Sequence, residues 1–328
     1  MGKVFRTGLR TLAMFIITAL SLQAFGQAEM SQVVEAFNEG VAQMKTNPDA
    51  AVVSFEKAVS LANEVGDEAN DIKDQAIRQI PKMYWESAKK FAAKKDYDGA
   101  LAKLEACIKS SKEIGDNAQA SRANSTALTI INTQGSVALA AKDYDGALGY
   151  FNKVIEREAR YAKAYLGKVL VYDEMKDYAS MEEAAKKGIE AAKASRDSKT
   201  SEDISKKVRG TFFNNAQESM KNKEYSSAID YLSRSIDFGN LNADTYYQLG
   251  LAQEGVGKWN DAIDSFTEAL EYEAGGDADK AKIYFEMGKS YQSISDTANA
   301  CASYKKALFG EFAEAAKYQI ETVLQCAN

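Results

Sequence analysis

Small and bulky apolar residues recur along the chain as triplets at helical spacing. Ala100, Ala147, Ala228, Ala262 and Ala300 are each followed four residues on by Leu104, Phe151, Leu232, Phe266 and Tyr304. Three further on come Cys107, Val154, Ser235, Ala269 and Ala307. Residues so spaced share one helix face. A bulky knob between two small seats lets a second helix approach closely. Each triplet follows a polar turn. Lys95-Asp96-Tyr97-Asp98-Gly99-Ala100-Leu101 recurs residue for residue as Lys142-Asp143-Tyr144-Asp145-Gly146-Ala147-Leu148, with looser copies at Lys176, Lys223 and Lys258. The second Asp of the turn is expected to cap the helix that follows, and the Tyr or Trp to lie over the turn. A further apolar helix precedes each turn, as in Tyr246-Tyr247-Gln248-Leu249-Gly250 and Tyr284-Phe285-Glu286-Met287-Gly288. Gly250 is expected to face Ala262 across its pair.

Seven such units lie in register. Their second helices open at residues 51, 100, 147, 181, 228, 262 and 300, in steps of 49, 47, 34, 47, 34 and 38. The long steps carry 13 to 15 extra residues, about four turns at ~3.6 residues each, and predict lengthened helices. Glu64-Val65-Gly66-Asp67 and Glu113-Ile114-Gly115-Asp116 read as a helix end followed by a helix start. A long first helix is therefore expected from about Asp67 to Lys94, with a kink or break at Pro81. The polar run from Ser195 to Glu202 is the candidate hinge.

The pattern of aromatic, Leu-Gly or Met-Gly, turn, Ala and aromatic resembles the tetratricopeptide repeat, most closely over residues 243–308. The resemblance implies an all-α fold, an α-solenoid of about seven tetratricopeptide-like helix pairs with a C-terminal capping helix. That last helix is expected over Glu311 to Cys326, with an apolar face of Phe312, Ala315, Tyr318, Ile320 and Val323. Three segments follow: 1–26 as a signal peptide, 27–196 as N-terminal repeats with lengthened helices, and 197–328 as C-terminal repeats with the cap.

The signal-peptide reading rests on a basic start (Lys3, Arg6, Arg10), an apolar stretch from Thr11 to Phe25 and small residues around Gly26. A stretch of 15 residues is short for a membrane span. The Ala24-Phe25-Gly26-Gln27 ending resembles exported proteins of the Bacteroidetes, which places the protein in the periplasm or at the outer membrane. Without those three cations, 38 of the 41 basic residues face 47 acidic ones, net −9. Such a surface disfavours nucleic acid and anionic lipid as main partners.

The three cysteines, Cys107, Cys301 and Cys326, form no CxxC pair. If the chain turns near Gly310 into a straight helix, Cys326 overshoots Cys301 by about 10 Å at ~1.5 Å per residue. That spacing argues against a disulfide, which needs Cα atoms within about 7 Å. The chain contains no histidine, which removes the commonest general base and most catalytic zinc sites. Asp96/Asp98 and Asp143/Asp145 recur because the turn recurs, without a calcium-binding loop around them. No enzyme, cofactor or metal site is expected.

In tetratricopeptide arrays the first helices line a groove for a peptide or partner segment. The resemblance places Phe37, Trp85, Asn132, Leu166, Phe213, Tyr247 and Phe285 at the groove-facing positions. Aromatic side chains there suit interface anchors. A subclass that clamps C-terminal carboxylates is not matched. The corresponding run, Phe213, Gln217, Gln248, Lys282 and Glu286, keeps only Lys282 in agreement. The expected function is a non-catalytic scaffold or adaptor in the bacterial envelope with a protein or peptide partner. A self-assembling structural protein and a glycan-binding accessory subunit remain alternatives.

Overall fold

The structure, a computed structural model, describes residues 29–327. The predicted signal segment therefore lies outside the described residues. Among the described residues the regular structure is helical throughout. Seven helix pairs follow in order: α1 (Met30–Gln43) with α2 (Pro48–Val65), α3 (Asn70–Ala93) with α4 (Tyr97–Glu113), and α5 (Asn117–Ala140) with α6 (Tyr144–Arg157). Next come α7 (Ala162–Met175) with α8 (Tyr178–Ser195), α9 (Ser198–Lys221) with α10 (Tyr225–Asp237), α11 (Ala243–Gly255) with α12 (Trp259–Tyr272), and α13 (Asp277–Ser293) with α14 (Thr297–Lys306). A short α15 (Ala313–Tyr318) closes the chain.

The helices form two compact units, divided between Gln134 and Gly135 inside α5. In the first unit α1 to α4 pack each on the next. In the second, α6 to α14 do the same. The Ser195–Glu202 run is a tight helix junction. Arg196 takes a left-handed backbone, Asp197 caps α9 through the Thr200 amide, and α8 and α9 pack together.

The small–large–small triplet supplies the core of six of the seven second helices; α8 buries Met181, Ala185 and Gly188 at those positions. Ala100, Leu104 and Cys107, and likewise Ala262, Phe266 and Ala269, are at most 1% exposed. Phe55, Phe151, Phe266 and Tyr304 fill space that glycines on the first helices leave open. A Cβ at Gly40 would sit 2.7 Å from Phe55, and one at Gly288 would sit 2.8 Å from Tyr304. A Cβ at Gly250 would run into the Phe266 ring, so the bulky knob is what reaches this glycine most closely across the pair.

The repeated turn is built differently from the expectation. Asp96 and Asp143 are the capping residues, each accepting from an amide three residues on, that of Gly99 or Gly146. Asp98 and Asp145 already lie in the first helical turn. The reason is the preceding lysine. Lys95, Lys142, Lys176 and Lys223 all have φ near +60°, so the chain reverses one residue earlier and the first Asp is the last non-helical residue. Gly257 holds the same place before Lys258 with φ +75°.

The extra residues of the long steps do lengthen helices, with α3, α5 and α9 each 24 residues long. The long first helix starts as a 3₁₀ turn at Asp67–Ala69 and continues as α3. Pro81 does not break α3. It is buried within the helix, whose Ala76, Met83, Ser87 and Ala88 are buried around it.

The C-terminal segment departs most from expectation. Only Ala313–Tyr318 is α-helical. A 3₁₀ turn (Gly310–Phe312) precedes it and a π-helical turn (Gln319–Val323) follows. Ala316, Ile320 and Leu324 pack on Tyr304 and Ala307. Ala315, Tyr318 and Val323 of the expected apolar face are exposed. The wide turn and the positive φ of Gln325 fold the chain back, with the Cys326 amide on the Ile320 carbonyl. Cys326 thus lies with its Cα 5.9 Å from that of Cys301, and the two form a disulfide. The overshoot of about 10 Å expected of a straight helix does not arise, because the helix ends at Tyr318 and a π turn follows.

Two outcomes test this architecture. Asp143→Ala should cost about 1 kcal/mol through loss of the cap. Lys142→Gly should stabilise by up to ~1 kcal/mol, because a non-glycine residue in the left-handed region costs roughly 1–2 kcal/mol, offset in part by glycine's greater chain entropy. Urea unfolding of both variants measures the pair of opposite signs. Closing a loop of 25 residues is worth about 3 kcal/mol in the chain-entropy picture. Cys326→Ser should therefore lower the melting temperature and speed amide exchange over residues 310–327 before the other helices.

Candidate functional site

The seven expected groove positions all lie on first helices, and all are half-buried. Their inner edges rest on the packed second helices. The Phe37 ring is 5.6 Å from that of Phe55, and Tyr247 is 5.9 Å from Phe266. Phe285 is 5.5 Å from both Tyr304 and Phe312. The Arg122 guanidinium lies 4.7 Å from the centre of the Trp85 ring. Leu166 packs on the cluster holding Val169, Met181 and Phe212, and Phe213 on that holding Ala216, Ala228 and Leu232.

The helices carrying these residues are neighbours in pairs. α1 packs beside α3, α7 beside α9, and α11 beside α13. Phe37 and Trp85, Leu166 and Phe213, and Tyr247 and Phe285 thus sit on adjoining first helices. Anchors with a fixed inner edge and an open outer edge lose little freedom on binding.

The α11/α13 face holds more chemistry than its spacing suggested. The Lys282 ammonium lies 5.1 Å from the centre of the Tyr247 ring. The Glu254 side chain is only 8% exposed; its carboxylate accepts from the Ser290 hydroxyl at 2.7 Å and pairs with Lys289 at 3.4 Å. Lys289 also pairs with Glu286. Burial pushes the Glu254 carboxyl above its ordinary range; Ser290 and Lys289 pull it back, and Glu286 pushes it up further. Burial lowers Lys289, but its two carboxylates outweigh that and raise it. Burial, and then the carboxylates of Glu286, Glu254, Asp244 and Glu311, hold the Tyr247 hydroxyl above the usual phenol range. Glu286 therefore serves Lys289, and Lys282 serves an aromatic face. This arrangement does not present cations to a free carboxylate.

Phe312, Glu254 and Lys289 did not emerge from the repeat pattern. A signal for two of them exists. Glu254 and Lys289 are 35 residues apart, close to one repeat length, as are Asp173 and Thr211 at 38. Pairing polar first-helix residues at repeat spacing would have joined them.

The tetratricopeptide repeat family profile matches residues 281–308, spanning α13, the turn and α14. The chain carries a tetratricopeptide repeat. No curated protein matches it. Solved structures that are similar include a tetratricopeptide repeat protein from Parabacteroides merdae, at 14% identity over 88% of this chain and 96% of that one, with a TM-score of 0.28. YrrB, described as a TPR protein with an unusual peptide-binding site, is 18% identical over 55% and 84%, with a TM-score of 0.29. MamA is 21% identical over 61% and 97%, also at 0.29. A stack of tetratricopeptide-like pairs is the architecture of a protein-interaction scaffold.

Glu254 yields a pH prediction. Its folded pKa lies above the unfolded value of 4.5, so in that window the folded state holds more protons. Stability from this group then falls as pH rises from about 4.5 through the raised value. Glu254→Gln should remove that fall. The melting temperature of the variant relative to wild type should climb between pH 4 and pH 7; a difference that stays flat would contradict the assignment.

Proposed function

We propose that this protein is a non-catalytic scaffold of the bacterial envelope whose first-helix faces bind an extended or helical segment of another protein. The observation that carries the reading is the placement of Tyr247 and Phe285. They sit on adjoining helices, and each is held from below by a buried ring of its own pair, Phe266 or Tyr304. Phe37 repeats that arrangement on Phe55, while Trp85, Leu166 and Phe213 rest on the buried cores of their own clusters. Half-buried aromatics of this kind are favoured as interface anchors.

Export rests on separate grounds. The basic and apolar start at residues 1–26 supports it, and a Cys301–Cys326 disulfide suits an oxidising compartment. Among the described residues no helix is long and apolar enough to cross a membrane.

The test begins with crosslinking in intact envelopes to capture a partner, followed by binding isotherms for Tyr247→Ala and Phe285→Ala. Each substitution should weaken binding by about 1–2 kcal/mol per folded molecule. Leu249→Ala, a core change beneath the same face, should lower stability more and affinity less. Equal affinity for wild type and both aromatic variants would end the groove reading.

A further inference from the structure

Among the described residues a cavity of about 930 Å³ opens beside the first-helix aromatic Tyr84 and is lined by none of the seven expected groove positions. It is bounded by α2, α3 and α4 within the first unit. Its place follows from the long repeat steps. The repeat core of this pair runs through Trp85 and Ala88 on α3 and Ala100, Leu104 and Cys107 on α4. The cavity is lined instead by Asp74 to Ile80 at the extended start of α3 and by Lys109 to Ile114 at the extended end of α4 and the turn after it. A plain 34-residue unit lacks these turns and with them these walls. The lengthened ends bury one face, with Ala76 and Ile108 in the core clusters, and line this groove with another.

The floor is apolar, from Val59, Ile77, Ile80 and Ile114, all half-buried. The rim is acidic. Glu56, Asp74, Glu113 and Asp116 stand against Arg78 and Lys109, an excess of two negative charges. One oxygen of Glu56 accepts from the Tyr84 hydroxyl at 3.2 Å, and one of Asp116 caps α5 through the Gln119 amide at 3.0 Å. The caps and helices thus fix the acidic rim in place. A cavity of this size is in the range that binds ligands. Apolar floor and acidic rim together select a cationic amphipathic occupant. Nucleic acid and anionic lipid are repelled, and a second copy of a chain with net charge −6 brings the wrong sign.

We propose that this groove is a second docking site, separate from the first-helix faces, for a short peptide segment that sets an apolar side chain beside an Arg or Lys. The apolar side chain would rest on Ile77 and Ile80, and the cation would meet Asp74 and Glu113. Complementary charge of this kind speeds association and rejects acidic competitors more than it adds raw affinity.

The test uses a displayed library of random 12-residue peptides, selected on the full chain. Two variants decide the site: Ala106→Trp, which fills the groove, and Glu113→Lys, which reverses an exposed rim charge. Expected is a family of selected peptides that pair Arg or Lys with Leu, Ile or Phe. These should lose tenfold or more in affinity to Ala106→Trp and at least fivefold to Glu113→Lys, with unchanged affinity for Tyr247→Ala. Their bound state should slow amide exchange at 74–84 and 106–114. Glu113→Lys keeps the test valid if Ala106→Trp fails to fold. Selected peptides that lack a cation, or that bind all variants alike, would overturn the proposal. So would failure of any peptide to enrich. Self-association of the chain abolished by Ala106→Trp would assign the groove to a second copy and overturn it equally. Because the groove and the Tyr247 face are read by different variants, either can fail alone.

Discussion

Everything in this molecule depends on one ring finding room between two helices. Phe151, on the second helix of its pair, lies against Gly135 of its own first helix and against Gly167 of the next pair's first helix. A Cβ at Gly135 would come within 2.7 Å of the ring, closer than carbon atoms pack. The glycines therefore do not serve flexibility. They are absences of side chain that let a ring lie against backbone, twice over at Phe151. Phe55, Phe266 and Tyr304 each make the contact once, with Gly40, Gly250 and Gly288 of their own pairs. At Phe151 the knob of one pair also braces the next, and within the second unit each such interface carries its own share of stability.

This constraint explains which parts of the fold were legible. The triplets were, because burial imposes a small–large–small order that the chain writes out in six of its seven pairs, Met181 standing in the small seat of the other. The turn was legible as a turn but misread by two residues in its cap. Nothing in Lys-Asp-Tyr-Asp announces that the lysine adopts the left-handed conformation that glycine takes at Gly257. Only the backbone shows it. The C-terminal segment was least legible. Its apolar residues fit an α-helical face on paper, yet the π turn at Gln319–Val323 rotates that face and carries Cys326 back to Cys301. A one-residue widening of a helical turn leaves no compositional trace, and the inference about the cysteines inherited the assumption of a regular helix.

The candidate groove was legible for the same reason as the core and is ambiguous for the same reason. The position before each small seat faces outward on one edge and inward on the other, so packing and binding both favour an aromatic there. Phe285 shows the overlap: it touches Tyr304 beneath and Phe312 beside it. An anchor so braced is rigid before any partner arrives, which lowers the cost of ordering it on binding. The price is that its removal disturbs the fold as well as the face, so affinity has to be read per folded molecule. The Glu254–Lys289–Glu286 group sits beside this face and shows how little of the site's electrostatics the repeat pattern carries. The pattern dictates where apolar atoms go and leaves polar first-helix positions free to vary from pair to pair.

That freedom extends to length. On one side the added turns pack: Ala69 and Ala76 are fully buried beside Ala62 and Phe55. On another side, with the end of α4, they line a groove of mixed apolar and acidic character. Ile77, Ile80 and Ile114 stay half-buried around an open volume, which leaves apolar surface at work outside the core. Residues that the repeat's core does not fully claim are free to carry other chemistry, and here they supply much of the wall of this groove.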